Sequence, residues 1–352
     1  MTSKERVMAA LNYQRPDRIP RFDSYWDEFS EKCIGELSLP SEIDLPAHFG
    51  MDIKIAIADE TPFPTKREMI REDGEVKIER DGWGRTIQTQ KGAFFYRELE
   101  VAVEEKNDLD KIQFDSPDLD LRYGDFMGQV GWVEDGFCVF CKTGGPYLRT
   151  TFLRGESNFL LDIASDRPFA KALADRMADH IIQIGLNSLA RGNLYDTGLW
   201  IFDDIAYNQG PMMSPDAFEQ IFLPAYRRMV SAFKDAGAAK VILHSDGNIG
   251  PLLDMFIDAG IEGINPVEPR AGLHIPTLKA KYGDKLVYIG GMCNSQVLPE
   301  GAEAEIRKKT EEIVEAGRDG GVIIGAHSIG PDIPVENYLL YLKTVERKGV
   351  YR

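Results

Sequence analysis

Lys240-Val241-Ile242-Leu243-His244-Ser245-Asp246-Gly247-Asn248 is an apolar run that ends in a histidine and then turns polar. A second stretch does the same: Val322-Ile323-Ile324-Gly325-Ala326 leads to His327, followed by Ser328-Ile329-Gly330-Pro331-Asp332. Each reads as a buried parallel strand that delivers a histidine to its C-terminal end. Ligands and catalytic groups gather at that end in α/β sheets and barrels. The chain has five histidines, and two of them share this setting. The pair points to one site built from two distant strands, either a metal site or an acid–base site.

Working outward, similar apolar runs recur at 137–140, 199–202, 263–266 and 286–290, separated by segments with helical periodicity such as 215–236 and 301–316. Ser214-Pro215 supplies an N-cap and a first-turn proline for the first of these, and Gly237 its stop. Repeated strand–helix units favour a (β/α)8 TIM barrel over a doubly wound sheet, and no glycine-rich dinucleotide fingerprint opens any helix. Further upstream, Thr2 and Glu5 form a capping-box signal for a first helix, which ends before Arg15-Pro16-Asp17-Arg18-Ile19-Pro20. Arg21-Phe22-Asp23-Ser24-Tyr25-Trp26 reads as the first barrel strand running into a loop. Alternating segments at 76–80, 86–90 and 94–101 read as an antiparallel β-meander outside the main body. The expected organisation is an N-terminal region, residues 1–110, with the first strand and the meander, and the main part of the barrel over 111–352. Together they form one functional domain.

The 352 residues can bury a full-sized core. Hydrophobic residues at 43% and charged residues at 28% place the chain among globular proteins. A net charge of −16 argues against binding a phosphate backbone. Four cysteines make no disulfide framework, and no secretory or membrane-spanning stretch is visible, so the expected location is cytoplasmic. An exposed face on the meander would suit a homodimer.

Candidate chemistry lies at five successive strand ends: Asp203-Asp204 with Tyr207 and Asn208; His244 and Asp246; Asn265 and Glu268; Gly290 to Asn294; and His327 with Asp332. His244 and Asp246 flank one turn residue and can face the same point, with His327 closing a three-ligand zinc site across the mouth. Glu268 and Cys293 are reserve ligands. The alternative is a metal-free site in which His244 pairs with Asp246 or Asp203. Asp203, Asp204, Tyr207 and Glu268 are the catalytic candidates. Phe22, Tyr25 and Trp26 read either as core or as walls of an aromatic substrate pocket, with Asn208 and Met213 as further substrate-binding candidates. Cys138 and Cys141, three apart in a strand, point to opposite faces and read as core thiols. Gly144-Gly145-Pro146 is either a close-approach loop for a ligand or a turn.

Taken together, several motifs resemble the uroporphyrinogen decarboxylase superfamily. They are Glu5 to Leu11 with Arg15 to Pro20, Asp203-Asp204, Met213 to Phe218, His244 to Asn248, Gly290-Gly291, and Pro331 to Asn337. The resemblance implies a TIM barrel and either a porphyrinogen decarboxylase or a cobalamin-dependent methyltransferase. The decarboxylases' Arg-Gln-Ala-Gly-Arg motif is absent; the matching region reads Arg21 to Trp26. Thiol-methylating members hold zinc with His-x-Cys and a distant Cys, which fall on His244, Asp246 and His327 here. With both cysteines replaced, the donor set suits oxygen better than a thiol. The resemblance thus implies the substrate-side methyltransferase of a corrinoid O-demethylase system, with the cobalamin carried on a separate corrinoid protein. The alternatives are a uroporphyrinogen-type decarboxylase and a non-enzymatic binding member.

Overall fold

The computed structural model describes residues 1–93 and 95–351. Phe94, expected to open the last meander strand, lies outside the described residues. In chain order the strands are β1 (Arg21–Tyr25), β2 (Ile53–Ile57), β3 (Glu68–Glu72), β4 (Val76–Arg80), β5 (Thr86–Gln90), β6 (Arg97–Glu100), β7 (Cys138–Gly144) and β8 (Gly198–Phe202), followed by β9 (Ala206–Tyr207), β10 (Gly210–Pro211), β11 (Lys240–His244), β12 (Gly263–Val267), β13 (Val287–Gly291) and β14 (Val322–Ile329). Eight of them form one sheet in the order β1-β14-β13-β12-β11-β8-β7-β2, and every recorded pairing in it is parallel. With helices between successive strands, this is the expected TIM barrel, nearly closed.

The seam between β1 and β2 is tied by one residue. Asp52, fully buried, donates its N–H to the Arg21 carbonyl and accepts from the Arg21 N–H, both at 2.9 Å. Its carboxylate also accepts from Arg6 (2.7 Å) and Arg18 (2.8 and 2.9 Å). The Arg6 and Arg18 motifs near the N-terminus are therefore structural: they hold the barrel shut.

Strand alternation separates two cores. Trp200 and Ile242 face the barrel interior with Phe22, Phe140 and Ile289, whereas Leu199, Ile201, Val241 and Leu243 pack against the helices. The N-terminal helix Ser3–Leu11, whose capping box is formed by Thr2 and Glu5, adds Val7, Ala10 and Leu11 to the interior cluster and stoppers the N-terminal end. Ligand access is thus left to the C-terminal end. Cys138 joins the interior and Cys141 the helix layer, both buried and unpaired.

Four elements differ from expectation. Residues 1–110 contribute a second barrel strand, β2, besides the expected β1. The segment after Tyr25 is a helix, Asp27–Leu37. The expected 215–236 helix is two, Pro215–Ile221 and Leu223–Asp235; Pro224 has no N–H to continue the first. The meander is a separate antiparallel sheet, β3-β4-β5-β6, with a strand, β3, added ahead of the expected three.

Candidate active site

At the C-terminal mouth, β11 and β14 bring their histidines together, with ring centroids 4.9 Å apart. Asp246 lies between them: its Oδ1 is 3.1 Å from His327 Nε2 and 3.8 Å from His244 Nε2. One donor atom from each of the three residues falls within 4.8 Å of the others. Ligand atoms about 2.0–2.2 Å from a tetrahedral zinc sit roughly 3.3–3.5 Å apart, so the cluster is near the right size.

The surroundings fit a cation. Asp246 Oδ1 is buried and no N–H or O–H of the described residues meets it in hydrogen-bond geometry; what faces it is His327 Nε2, an ion-pair contact at 3.1 Å, so the oxygen is left open to a cation that both imidazoles could share. Asn265 Oδ1 accepts from His244 Nδ1 at 2.7 Å. That contact fixes the tautomer and turns the Nε2 lone pair toward Asp246 and His327, as metal-bound imidazoles require. The Phe202 ring stacks on His244, centroids 4.2 Å apart at 14°. His327 adopts a left-handed backbone, φ 69°, within β14, and such strain is tolerated where the surrounding structure demands the geometry.

The charges divide the two imidazoles. Burial, and then the neighbouring His327, lower the pKa of His244. Burial opposes the His327 cation too, but the close contact and charge of Asp246, with Asp204 and Glu268 beyond, outweigh it and raise its pKa. Burial works against the Asp246 carboxylate, yet the two histidines hold its pKa below the ordinary value.

Asp204 and Glu268 grip the turn that carries Asp246. Asp246 N–H donates to Asp204 Oδ1 (3.1 Å) and Gly247 N–H to Glu268 Oε2 (2.9 Å). Gly247 has φ 83°, and a Cβ there would strike the Ala206 and Tyr207 backbone at 2.7–2.8 Å. The β9–β10 hairpin therefore packs directly on the turn, with Tyr207 and Asn208 exposed on it.

One cavity of about 640 Å³ opens from the cluster. Phe22 and Tyr25 line it with His244, Asn265 and His327, as do Ile43, Ile55, Trp132 and Phe202. No arginine lines it, and its cationic side chains besides the histidines are Lys54 and Lys142.

Several expected residues lie elsewhere. Asp203 is fully buried and turned away from the mouth. It caps the helix Pro146–Arg154, accepting from Leu148 N–H (2.6 Å), Tyr147 N–H (3.1 Å) and Tyr226 OH (2.6 Å). Burial pushes its pKa up to about 6, against the pull of those donors. Met213 is buried in the helix layer. Trp26, at the N-cap of helix Asp27–Leu37, is not among the cavity walls. Cys293 is outside the His/Asp cluster, in a separate crevice beside Ile275 and Ile313. Gly145 is explained by the chain itself, since a Cβ there would lie 2.3 Å from the Asp203 carboxylate.

Sequence reasoning missed Asp23 and Lys142. Asp23, on β1 opposite His327, accepts from Ala326 N–H (2.5 Å) and Tyr338 OH (3.1 Å); burial raises its pKa to about 7. Lys142 closes the apolar run Cys138-Val139-Phe140-Cys141, the same signature that revealed His244, and could have been found by it.

The model of the family described as Uroporphyrinogen decarboxylase (URO-D) matches residues 99–348. The chain belongs to this family. Its fold agrees: a solved structure, a methyltransferase from Methanosarcina mazei, superposes with a TM-score of 0.70 over 99% of each chain at 17% identity. At that identity the likeness is one of fold. The Penicillium canescens endo-1,4-beta-xylanase XylE reaches a TM-score of 0.40 at 12% identity, over 70% of this chain and 91% of its own. Comparison with the curated proteins finds no match. Among the described residues no helix is long and apolar enough to cross a membrane.

Proposed function

We propose that this URO-D family member is a methyltransferase that removes the methyl group of a small methylated donor, in the best case an aryl methyl ether, and passes it to the cob(I)alamin of a separate corrinoid protein. The observation that carries this is the convergence of Asp246 Oδ1 and two imidazole Nε2 atoms on one point, at the end of an aromatic-walled cavity.

As the methyl carbon leaves an aryl ether, the bonding pair stays on oxygen, so the site must stabilise a developing phenolate. His244, Asp246 and His327 would hold a zinc ion, which supplies Lewis acidity to that oxygen when bound. Asn265 keeps His244 in its ligating tautomer. Asp204 and Glu268 hold the Asp246 turn from both sides and are the carboxylates placed to handle a proton near it, beneath Tyr207 on its hairpin. Phe22, Tyr25 and Phe202 offer flat faces to an aromatic ring. Asp203 acts through the helix it caps. A porphyrinogen with many carboxylates would find two lysines and no arginine in the cavity, which favours the methyltransferase over the decarboxylase.

The test offers guaiacol-type ethers with cob(I)alamin and the purified chain, following methylcobalamin by its absorbance and zinc by elemental analysis. Methyl transfer with about one zinc per chain is expected. If aryl ethers, methylamines and methanol all fail to donate, the reading is wrong.

A further inference from the structure

Lys142 has no anionic partner among the described residues. It stands on β7, next to the strand that ends in Phe202, and lines the same cavity as His244 and His327. No carboxylate of the described residues reaches ion-pair distance of its ammonium. Its nearest recorded contact is the Phe202 ring, 4.9 Å from Nζ to centroid. Burial lowers its pKa, and Glu60 and Asp204 compensate only from a distance. Lys54, the other cavity lysine, differs: it is paired with Asp44 and lies over Trp132 and Phe137. A long, flexible, positively charged chain has therefore been left desolvated and unpaired inside an apolar cavity. Structure alone gives no reason for this, because a methionine would fill the space without the desolvation cost.

We infer that Lys142 binds a carboxylate on the methyl donor, so that the substrate class is an aromatic acid carrying a methoxy group. This rests on the methyltransferase reading and narrows it. The Phe202 ring links the two ends: Lys142 Nζ is 4.9 Å from its centroid and the His244 ring 4.2 Å from it. Ammonium and imidazole are thus within about 9 Å, a span that one benzene ring with its carboxylate and ether oxygen can bridge. The acid end would meet Lys142, the ring would lie among Tyr25, Trp132 and Phe202, and the ether would reach the His244–Asp246–His327 cluster. The carboxylate gains a charge-assisted hydrogen bond in a site with little water, and the ammonium regains the partner that the fold withholds.

The experiment compares a methoxybenzoate with the corresponding methoxybenzyl alcohol, in wild type, Lys142→Met and Lys142→Arg. Two readouts are taken: kcat/KM for methyl transfer, and calorimetric binding of benzoate against benzyl alcohol without cobalamin. A charge-assisted hydrogen bond is worth about tenfold to a hundredfold. Wild type should favour the acid by that factor in both readouts. Lys142→Met should lose the preference, mainly through KM, and Lys142→Arg should keep part of it. Selective benzoate binding that depends on Lys142, without methyl transfer from any ether, would retain the carboxylate site and discard the methyltransferase. Methyl transfer with equal use of acid and alcohol, or an acid preference untouched by Lys142→Met, would overturn the carboxylate site and leave the methyltransferase standing.

Discussion

Two buried ionic clusters sit at the same end of the barrel, and they are finished differently. On the β7–β8 side, Asp203 accepts from two helix N–H groups and a tyrosine, and Glu60 accepts from Arg149 (2.6 Å) and the Gly144 N–H. All four carboxylate oxygens are matched by donors from the chain itself. On the β11–β14 side, Asn265 Nδ2 is buried without a hydrogen-bond partner, and Asp246 Oδ1 meets only imidazole nitrogens, with no donor in hydrogen-bond geometry. Buried polar atoms are nearly always satisfied in folded proteins. A saturated cluster has used its interaction energy on folding. One with unmatched atoms keeps it for a ligand. Burial and titration cannot tell the two apart, because both clusters contain shifted groups, and buried hydroxyls of Thr143 and Tyr147 lack partners on the β7–β8 side as well; the carboxylate oxygens are what separate them.

The comparison breaks most visibly at His244. Replacing it with alanine removes one of three donors from the unsaturated cluster. Zinc occupancy should fall to background in elemental analysis, and methyl transfer should drop on the order of a thousandfold, while the urea midpoint moves little. A His244→Ala protein that retains full metal would mean the ligands are elsewhere.

Asp203 should show the opposite pattern. Asp203→Asn puts an amide where two N–H groups and a hydroxyl converge, so stability should fall by about 1–3 kcal/mol with zinc content unchanged. The pH dependence gives a second handle. Asp203 binds its proton more tightly in the folded state, where its pKa is about 6 against an ordinary 3.8. Its contribution to stability is therefore complete below pH 3.8 and is lost as the pH rises through about 6. The deficit of Asp203→Asn relative to wild type should be larger near pH 4.5 than near pH 7. Urea titrations of both proteins at the two pH values measure this. A deficit that grows toward neutrality, or one that carries zinc away with it, would erase the distinction between the clusters.

How far each cluster was legible in sequence follows from strand geometry. Barrel strands buried on both faces appear as unbroken apolar runs, and the polar residue that ends one marks the mouth; His244, His327 and Asp246 were readable for that reason. Asp203 and Asp204 were not separable, since adjacent strand residues point to opposite faces: one carboxylate enters the helix cap and the other the mouth, from identical letters. The strand β2 was missed because Lys54 interrupts Ile53-Lys54-Ile55-Ala56-Ile57 and Asp52 precedes it. Those two charges belong to the cavity and the seam, so function hid the strand. Asp23 was overlooked because its partners, Tyr338 and the Ala326 N–H, come from more than three hundred residues away.

Cys293 gives the smallest effect and still sharpens the contrast. As a soft thiolate donor on β13's C-terminal loop it is attractive in sequence, and zinc accepts sulfur readily. In the structure its sulfur lies 3.6 Å from Ser295 Oγ, in a crevice against helices rather than in the cavity. Cys293→Ser should therefore leave zinc stoichiometry and affinity unchanged in competition with a chromogenic chelator, and shift stability by no more than about 1 kcal/mol. Weaker zinc binding in this variant would bring sulfur into the donor set. The cluster would then have a softer character than two imidazoles and a carboxylate provide, and the preference for an oxygen leaving group over a thiol would lose its basis.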